Sequence, residues 1–226
     1  MVKREPRNGP LHILLVPLGS AGDVHPFVAV GAALRHRGHL VTVITSPVFE
    51  RLVRHIGLEF VPVGTAEEFD ALLQDPHLWE FRRGFEVVAK AVLTATPQIY
   101  RIISERYVAG ETIVAAAGLA FGARIAQERL GVPLATIQLQ PAAFQSVYQS
   151  PVLHPWLSRI DLLPRPLKRG VFRFAYFLAD RIVGPETNRF RAALGLPPAR
   201  RFLGGWWNSP RRVIGLFPEW FGPPQP

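Results

Sequence analysis

Short apolar runs alternate with amphipathic stretches along most of this chain. Residues 11–17, 40–45, 58–63, 112–117, 133–139 and 212–217 are compact, partly β-branched and bounded by Pro or Gly. Such runs read as strands buried on both faces. Helical patterns lie between them. One starts around Pro26, where a first-turn proline loses nothing by lacking its N–H, and stops at Gly38. A second is capped by Ser46, opened by Pro47 and closed by Gly57. A third spans 118–130 and is closed by Gly131. Strand–helix alternation with short links predicts βαβ units and a parallel sheet.

Two segments break that rhythm. Residues 66–79 are acidic and then aromatic, and a long helical pattern follows over 83–107, interrupted at Pro97. Residues 150–166 are proline-rich. A long amphipathic helix is then expected over 167–194, kinked at Gly184 and Pro185. Its aromatic stripe, Phe172, Phe174, Tyr176 and Phe177, is expected to face the core. Pro197-Pro198 should open a last short helix. The fold class is therefore α/β, a Rossmann-like, doubly wound parallel sheet over 11–217. A polar tail (1–10) precedes it, and a stretch of linker composition (218–226) follows. The loops after strands one, three, four and five converge on one crevice.

Composition narrows the function classes. Of 226 residues 48% are hydrophobic and 19% charged, enough to bury a sizeable core. There is no cysteine, which removes disulfide and thiolate chemistry. No signal-peptide pattern or membrane-length apolar run occurs, so a cytoplasmic protein is expected, with room for peripheral contact at the inner face of a membrane. The net charge is +9, with the arginines spread out and no zinc spacing or glycine–aromatic signature beside them. A basic surface for acidic lipids, substrates or partner proteins fits better than specific nucleic-acid reading.

Candidate chemistry concentrates after the first strand. Asp23 lies at the mouth of a helix beyond that strand's C-terminal end, where open α/β sheets bind ligands. It is either a helix cap or a catalytic base. Gly19 and Gly22 permit positive φ and close backbone approach, and with Ser20 they set N–H groups at a helix N-terminus that tolerates anions. Turn geometry alone is the competing explanation. The third glycine of a dinucleotide fingerprint is missing. Trp79, Phe81, Phe85, Gln138, Gln140, Phe144 and Tyr148 fall on segments that would line an apolar pocket with few polar groups. The histidines show no paired metal spacing, so no metal is assigned.

Gly19-Ser-Ala-Gly-Asp-Val-His-Pro-Phe27 closely resembles the N-terminal motif of GT-B glycosyltransferases of the sterol- and antibiotic-glycosylating kind. Asp75-Pro-His-Leu-Trp79, Gly122-Ala-Arg-Ile-Ala126, Pro151-Val-Leu-His-Pro155, Pro185-Glu-Thr-Asn188 and the run from Leu216 to Gln225 are similar to the rhamnolipid rhamnosyltransferases. The resemblance implies the acceptor-binding half of an inverting, metal-independent enzyme. A C-terminal half would hold the donor, a dTDP- or UDP-linked sugar acting as co-substrate, with no cofactor. It implies Asp23 as base, and rhamnose or a related hexose delivered to a hydroxyacyl lipid; in that setting the N–H groups of Gly19, Ser20 and Gly22 would approach the donor phosphates, and His25 either hydrogen-bonds in the cleft or faces solvent. A sterol, polyketide or other hydrophobic alcohol is the alternative acceptor, and a non-catalytic lipid- or membrane-binding module is the alternative class. In relatives that use a His base, a carboxylate after the fourth strand holds it. Here that stretch reads Ala115-Ala-Ala-Gly-Leu119, which fits an aspartate acting alone.

Overall fold

The computed structural model describes residues 9–80, 83–144, 146, 148 and 162–222. Strands β1 (His12–Val16), β2 (Leu40–Thr45), β3 (Glu59–Pro62), β4 (Thr112–Ala117), β5 (Leu134–Gln138) and β6 (Val213–Gly215) form one sheet in the order β3-β2-β1-β4-β5-β6. All of its pairings are parallel. The order reverses between β1 and β4, so their C-terminal ends form a topological switch point.

The helices cover both faces. On one side α1 (Ala21–His36) and α2 (Glu50–His55) close over Ile13, Leu15, Val41 and Val43. On the other, α4 (Arg83–Arg106) and α5 (Phe121–Leu130) close over Leu14, Val16, Val114 and Ala116. Successive residues of β1 thus serve opposite cores, as the strand period requires. Outside this second layer lies α6 (Arg165–Ala193), which shares with α4 and α5 a third apolar cluster around Phe121, Val183 and Phe202. The short α3 (Ala66–Gln74) opens with Thr65, which accepts the Glu68 N–H at 3.1 Å while the Glu68 carboxylate accepts the Thr65 N–H at 2.9 Å.

Several local expectations need correction. Helix α1 begins at Ala21, so Pro26 sits inside it, beyond the first turn. The carbonyl left without a donor is that of Gly22, which is exposed and open to water. Gly22 itself is helical, and only Gly19 takes positive φ, at 135°. Ser46 makes no side-chain cap, and its hydroxyl is buried without a hydrogen-bond partner among the described residues. Pro97 does not interrupt α4, whereas the long helix expected before residue 194 forms as α6 with Gly184 and Pro185 inside it. Packing against neighbouring helices holds both together across the lost bond. Residues around Pro197-Pro198 are not helical, and a single π turn starts at Phe202. Phe174 and Phe177 face solvent, while Phe172 and Tyr176 are half-buried.

Helices α4 and α5 touch through Gly122. A Cβ there would stand 2.3 Å from the Thr96 carbonyl oxygen and 2.7 Å from the Tyr100 nitrogen. Both obstacles are backbone, so the helices must move apart to admit it. Gly122→Ala is expected to destabilise the fold by about 1–3 kcal/mol in urea unfolding, despite alanine's better helix propensity.

At the opposite end of the sheet from the switch point, the Thr42 hydroxyl donates to Glu59 Oε2 at 2.6 Å. With that hydrogen committed, Thr42 Oγ1 accepts from His12 Nε2–H at 2.7 Å. Burial lowers the His12 pKa from its ordinary 6.5, Glu59 opposes this, and Arg106 adds to it. The folded state therefore binds this proton less readily than the unfolded chain. The stability it contributes is present above pH 6.5 and lost as the pH falls from there towards the folded value. His12→Gln should narrow the stability difference between about pH 7.5 and about pH 5.5 in denaturant titrations. An unchanged difference would exclude His12 as its source.

Candidate active site

The site is built where β1 ends. Pro17 and Leu18 leave the strand, and Gly19 turns the chain at φ 135° into α1. A side chain at Gly19 would also overlap the Asp23 carboxylate, 2.2 Å from its Oδ2. Glycine is therefore required twice over. Asp23, in the first turn of α1, reaches back. Its Oδ2 accepts the Ser20 backbone N–H at 2.8 Å and the Ser20 hydroxyl at 3.2 Å. The carboxylate is partly exposed and sits at the positive end of the helix dipole. The amides of Ala21 and Gly22 have no helical carbonyl ahead of them.

Beside β1 runs β4, in register Leu15↔Ala115 and Val16↔Ala116. Gly118 follows it. A Cβ at Gly118 would lie 2.6 Å from Gln138 Nε2 and 3.1 Å from the Trp207 ring, so the chain passes close under both side chains. Gln138 ends β5, is 6% exposed, and donates from Nε2 to Asn208 Oδ1 at 2.9 Å. The Trp207 indole N–H is buried with no hydrogen-bond partner among the described residues. Leu18, Phe85, Leu119 and Trp207 pack half-buried on the cluster around Phe121 and Phe202. The helix after residue 82 thus contributes an aromatic side chain, Phe85, to that cluster.

The structure brings together Gly19, Ser20 and Asp23, and it places Gln138 across Gly118 from them in the next strand but one. Other predicted positions lie apart. His25 is exposed on α1, edge-on to the Phe49 ring at 6.4 Å. Gln140 is exposed at the start of a short turn, and Phe144 meets Phe217 at 5.8 Å beside the end of β6. Trp79 is 84% exposed in the turn after α3. Phe81 lies outside the described residues. Sequence reasoning misses Trp207 and Asn208. Their signal is the run Gly204-Gly-Trp-Trp-Asn-Ser209, in which paired glycines free the backbone before a cluster of large and polar side chains.

The second feature missed is an ion cluster that fixes this run. Glu128 bridges Arg124 at 3.1 Å and contacts Arg191, and its Oε1 accepts the Trp206 indole N–H at 3.1 Å. Arg124 Nε donates to the Trp206 carbonyl at 3.0 Å, and the Arg191 guanidinium lies 5.2 Å over the Trp206 ring. Burial lowers the Arg124 pKa, Glu128 opposes the shift, and Arg191 reinforces it. Among the described residues no group of His, Asp or Glu has the arrangement of a metal site.

Comparison with known proteins agrees with this architecture. The glycosyltransferase family 28 N-terminal domain matches residues 13–149. The chain is 29% identical over 205 residues to a dTDP-epi-vancosaminyltransferase of Amycolatopsis orientalis, covering 88% of this chain and 45% of that protein. It is 42% identical over 55 residues to a sterol 3-beta-glucosyltransferase of Arabidopsis thaliana, covering 24% of this chain and 9% of that one. The crystal structure of the kitacinnamycin glycotransferase superposes with a TM-score of 0.62 at 20% identity, over 95% of this chain and 48% of that one. The chain thus spans about half the length of the long relatives it matches. The family match covers β1, the Asp23 loop, β4 and β5. By that match, the chain belongs to the glycosyltransferase family 28 N-terminal domains.

Proposed function

We propose that residues 11–217 are the acceptor-binding half of an inverting, metal-independent nucleotide-sugar glycosyltransferase, with 218–226 as the linker to a donor-binding half. The observation that carries this reading is the Gly19–Asp23 loop at the β1/β4 switch point of a glycosyltransferase-family domain. Asp23 is the proposed base. Ser20 holds Oδ2, and Oδ1 takes the acceptor's hydroxyl proton. The acceptor oxygen attacks the anomeric carbon from the side opposite the leaving group, and the bond to the nucleoside diphosphate breaks with its electron pair. The Ala21 and Gly22 amides at the head of α1 suit the charge that gathers on the leaving phosphates. Gly19 supplies the turn, while Gln138, with Gln140 and Phe144 further out, belongs to the acceptor side.

In the finer reading the sugar is rhamnose or a related hexose carried on dTDP or UDP, and the acceptor is a hydroxyacyl lipid. A cytoplasmic location with peripheral contact at the inner membrane face goes with it. Leu18, Phe85, Leu119 and Trp207 stay half-buried on the apolar cluster around Phe121 and Phe202, and apolar surface left over there suits a hydrophobic acceptor. A sterol or polyketide acceptor is the second reading, favoured by similarity to a sterol glucosyltransferase and an antibiotic glycosyltransferase. Competition binding separates them, since a hydroxyacyl lipid should displace a bound hydrophobic alcohol that a sterol leaves in place. The reverse order would select the second reading. The intact mass of the polypeptide in its source cell, compared with 25.2 kDa, tests whether a donor half is joined to it.

A further inference from the structure

Residues 206–209 are stitched to β5 by side-chain hydrogen bonds. Ser209 is buried, and its N–H donates to Thr136 Oγ1 at 2.8 Å. Its hydroxyl donates to the Leu134 carbonyl at 2.8 Å and accepts from Gln127 Nε2 at 2.9 Å. One residue earlier, Asn208 Oδ1 accepts from Gln138 Nε2 at 2.9 Å. Leu134 packs in the α4–α5 core and Ile137 in the α1–α2 core. By the strand period, Thr136 and Gln138 therefore project with Leu134 to the α4–α5 side. The two amides stand at the end of β5 against Gly118, and the bonds of Ser209 hold them there without any ligand.

Two side-chain amides carry four N–H hydrogens and two carbonyl oxygens, and the bond between them uses one of each. One oxygen and three hydrogens are left over, and turning both amides over leaves the same set. Gln138 and Asn208 make no other side-chain hydrogen bond among the described residues. The unpartnered polar atoms sealed from solvent there are Ser46 Oγ, Gln127 Oε1 and the Trp207 indole nitrogen, so the free atoms of the pair stay open. Gln138 is nonetheless only 6% exposed. Anything that settles over this strand end takes the remaining water from the amides, and leaving them unpartnered then weakens binding. Donors outnumber acceptors in the pair, so its complement is an oxygen that accepts. Both side chains are neutral, and the guanidinium groups that fix this run, Arg124 and Arg191, are paired with Glu128. The complement is therefore a carbonyl oxygen rather than a carboxylate.

We propose that Gln138 and Asn208 together bind a carbonyl oxygen of the acceptor. The substrate class is then a hydrophobic alcohol with a ketone, ester or amide carbonyl a few bonds from the hydroxyl that Asp23 deprotonates. The inference rests on the acceptor-half reading given above and sharpens it. In the sheet β4 alone separates β1 from β5, which sets their ends about 10 Å apart. The loop that carries Asp23 leaves the first of these ends, and Gln138 closes the second. With a hydrogen bond of roughly 3 Å at either side, the stretch of acceptor between hydroxyl and carbonyl is short. A hydroxyacyl ester or a polyketide meets that requirement. A sterol with a single hydroxyl does not, because it covers the amides without pairing them.

The test titrates two probes calorimetrically into the chain: methyl β-hydroxydecanoate, and a decanol with the same secondary hydroxyl and no carbonyl. The ester should bind more tightly by roughly two- to tenfold for each hydrogen bond it gains. Gln138→Met with Asn208→Leu replaces both amides by apolar groups of similar shape, which keeps the fold near its native stability. In that variant the preference should vanish while the decanol binds as before. Gly118→Ala tests the pair without altering it. The new Cβ would stand 2.6 Å from Gln138 Nε2, so the amide must shift and the preference should fall. If the double variant fails to fold, Gly118→Ala decides the matter. Equal binding of the two probes by the native chain, or a preference that survives these substitutions, overturns the inference and leaves the acceptor-half reading standing. Loss of both probes in the double variant also overturns it, since the pair would then shape the pocket without reading the carbonyl. Binding of neither probe by the native chain overturns the acceptor-half reading together with the inference.

Discussion

Asp23→Asn is expected to lower turnover by about a hundred- to ten-thousand-fold in a polypeptide that carries both halves, with acceptor affinity nearly kept. The substitution separates the two roles that the geometry gives this side chain. As a cap, Asp23 accepts the Ser20 N–H and hydroxyl through Oδ2. Asparagine keeps a carbonyl oxygen that accepts the same bonds, so the cap survives. What is lost is the favourable charge at the helix N-terminus, about 0.3–1 kcal/mol. As a base, asparagine is useless at any pH. A large fall in turnover with a near-native unfolding curve would therefore assign the base. Asp23→Ala removes cap and base together and should cost a further 0.5–2 kcal/mol or so in stability. Normal turnover by Asp23→Asn would reduce Asp23 to a cap and move the search to other groups near the switch point.

The central strands were legible because burial on both faces leaves a plain signal. The bounds of β2 and β4 are those the apolar runs predict, and Gly131, at φ 74°, closes α5 as expected. The prolines misled. At Pro26 and Pro97 a local rule forecast a helix start and a break, and tertiary packing carries the helix through both. The aromatic stripe of α6 failed for another reason. Periodicity finds an apolar face but does not say which of two opposite faces meets the core, and here Phe174 points outward. In the site, Gly19, Ser20 and Asp23 were readable because they are close in sequence and their spacing sets their geometry. Gln138 was readable from its strand end. Asn208 and Trp207 were not, because they reach Gln138 and Gly118 only through chain reversals 70 and more residues long.

The largest stability effect is expected at Glu128, which holds that distant run in place. Arg191 and Arg124 have side chains 4% and 11% exposed, and Glu128 is the carboxylate between them. Glu128→Ala leaves two buried guanidinium groups without their counter-charge and the Trp206 N–H without its acceptor. Breaking such a set by removing one partner costs about 3–5 kcal/mol. The exposed Glu50–Arg54 pair, 2.7 Å apart on α2, is the control. Glu50→Ala should cost only about 0.3–0.5 kcal/mol. Arg191→Met in the Glu128→Ala background should recover part of the loss, because it removes one of the stranded charges. Arg191 also donates to the Pro197 carbonyl at 2.8 Å, so the recovery is incomplete. Urea unfolding of the four variants gives the coupling directly. A Glu128→Ala loss no larger than that of Glu50→Ala would mean that the cluster does not hold the run. A loss of the expected size means that the Trp207 and Asn208 side of the crevice depends on a charge set that touches none of the predicted site residues.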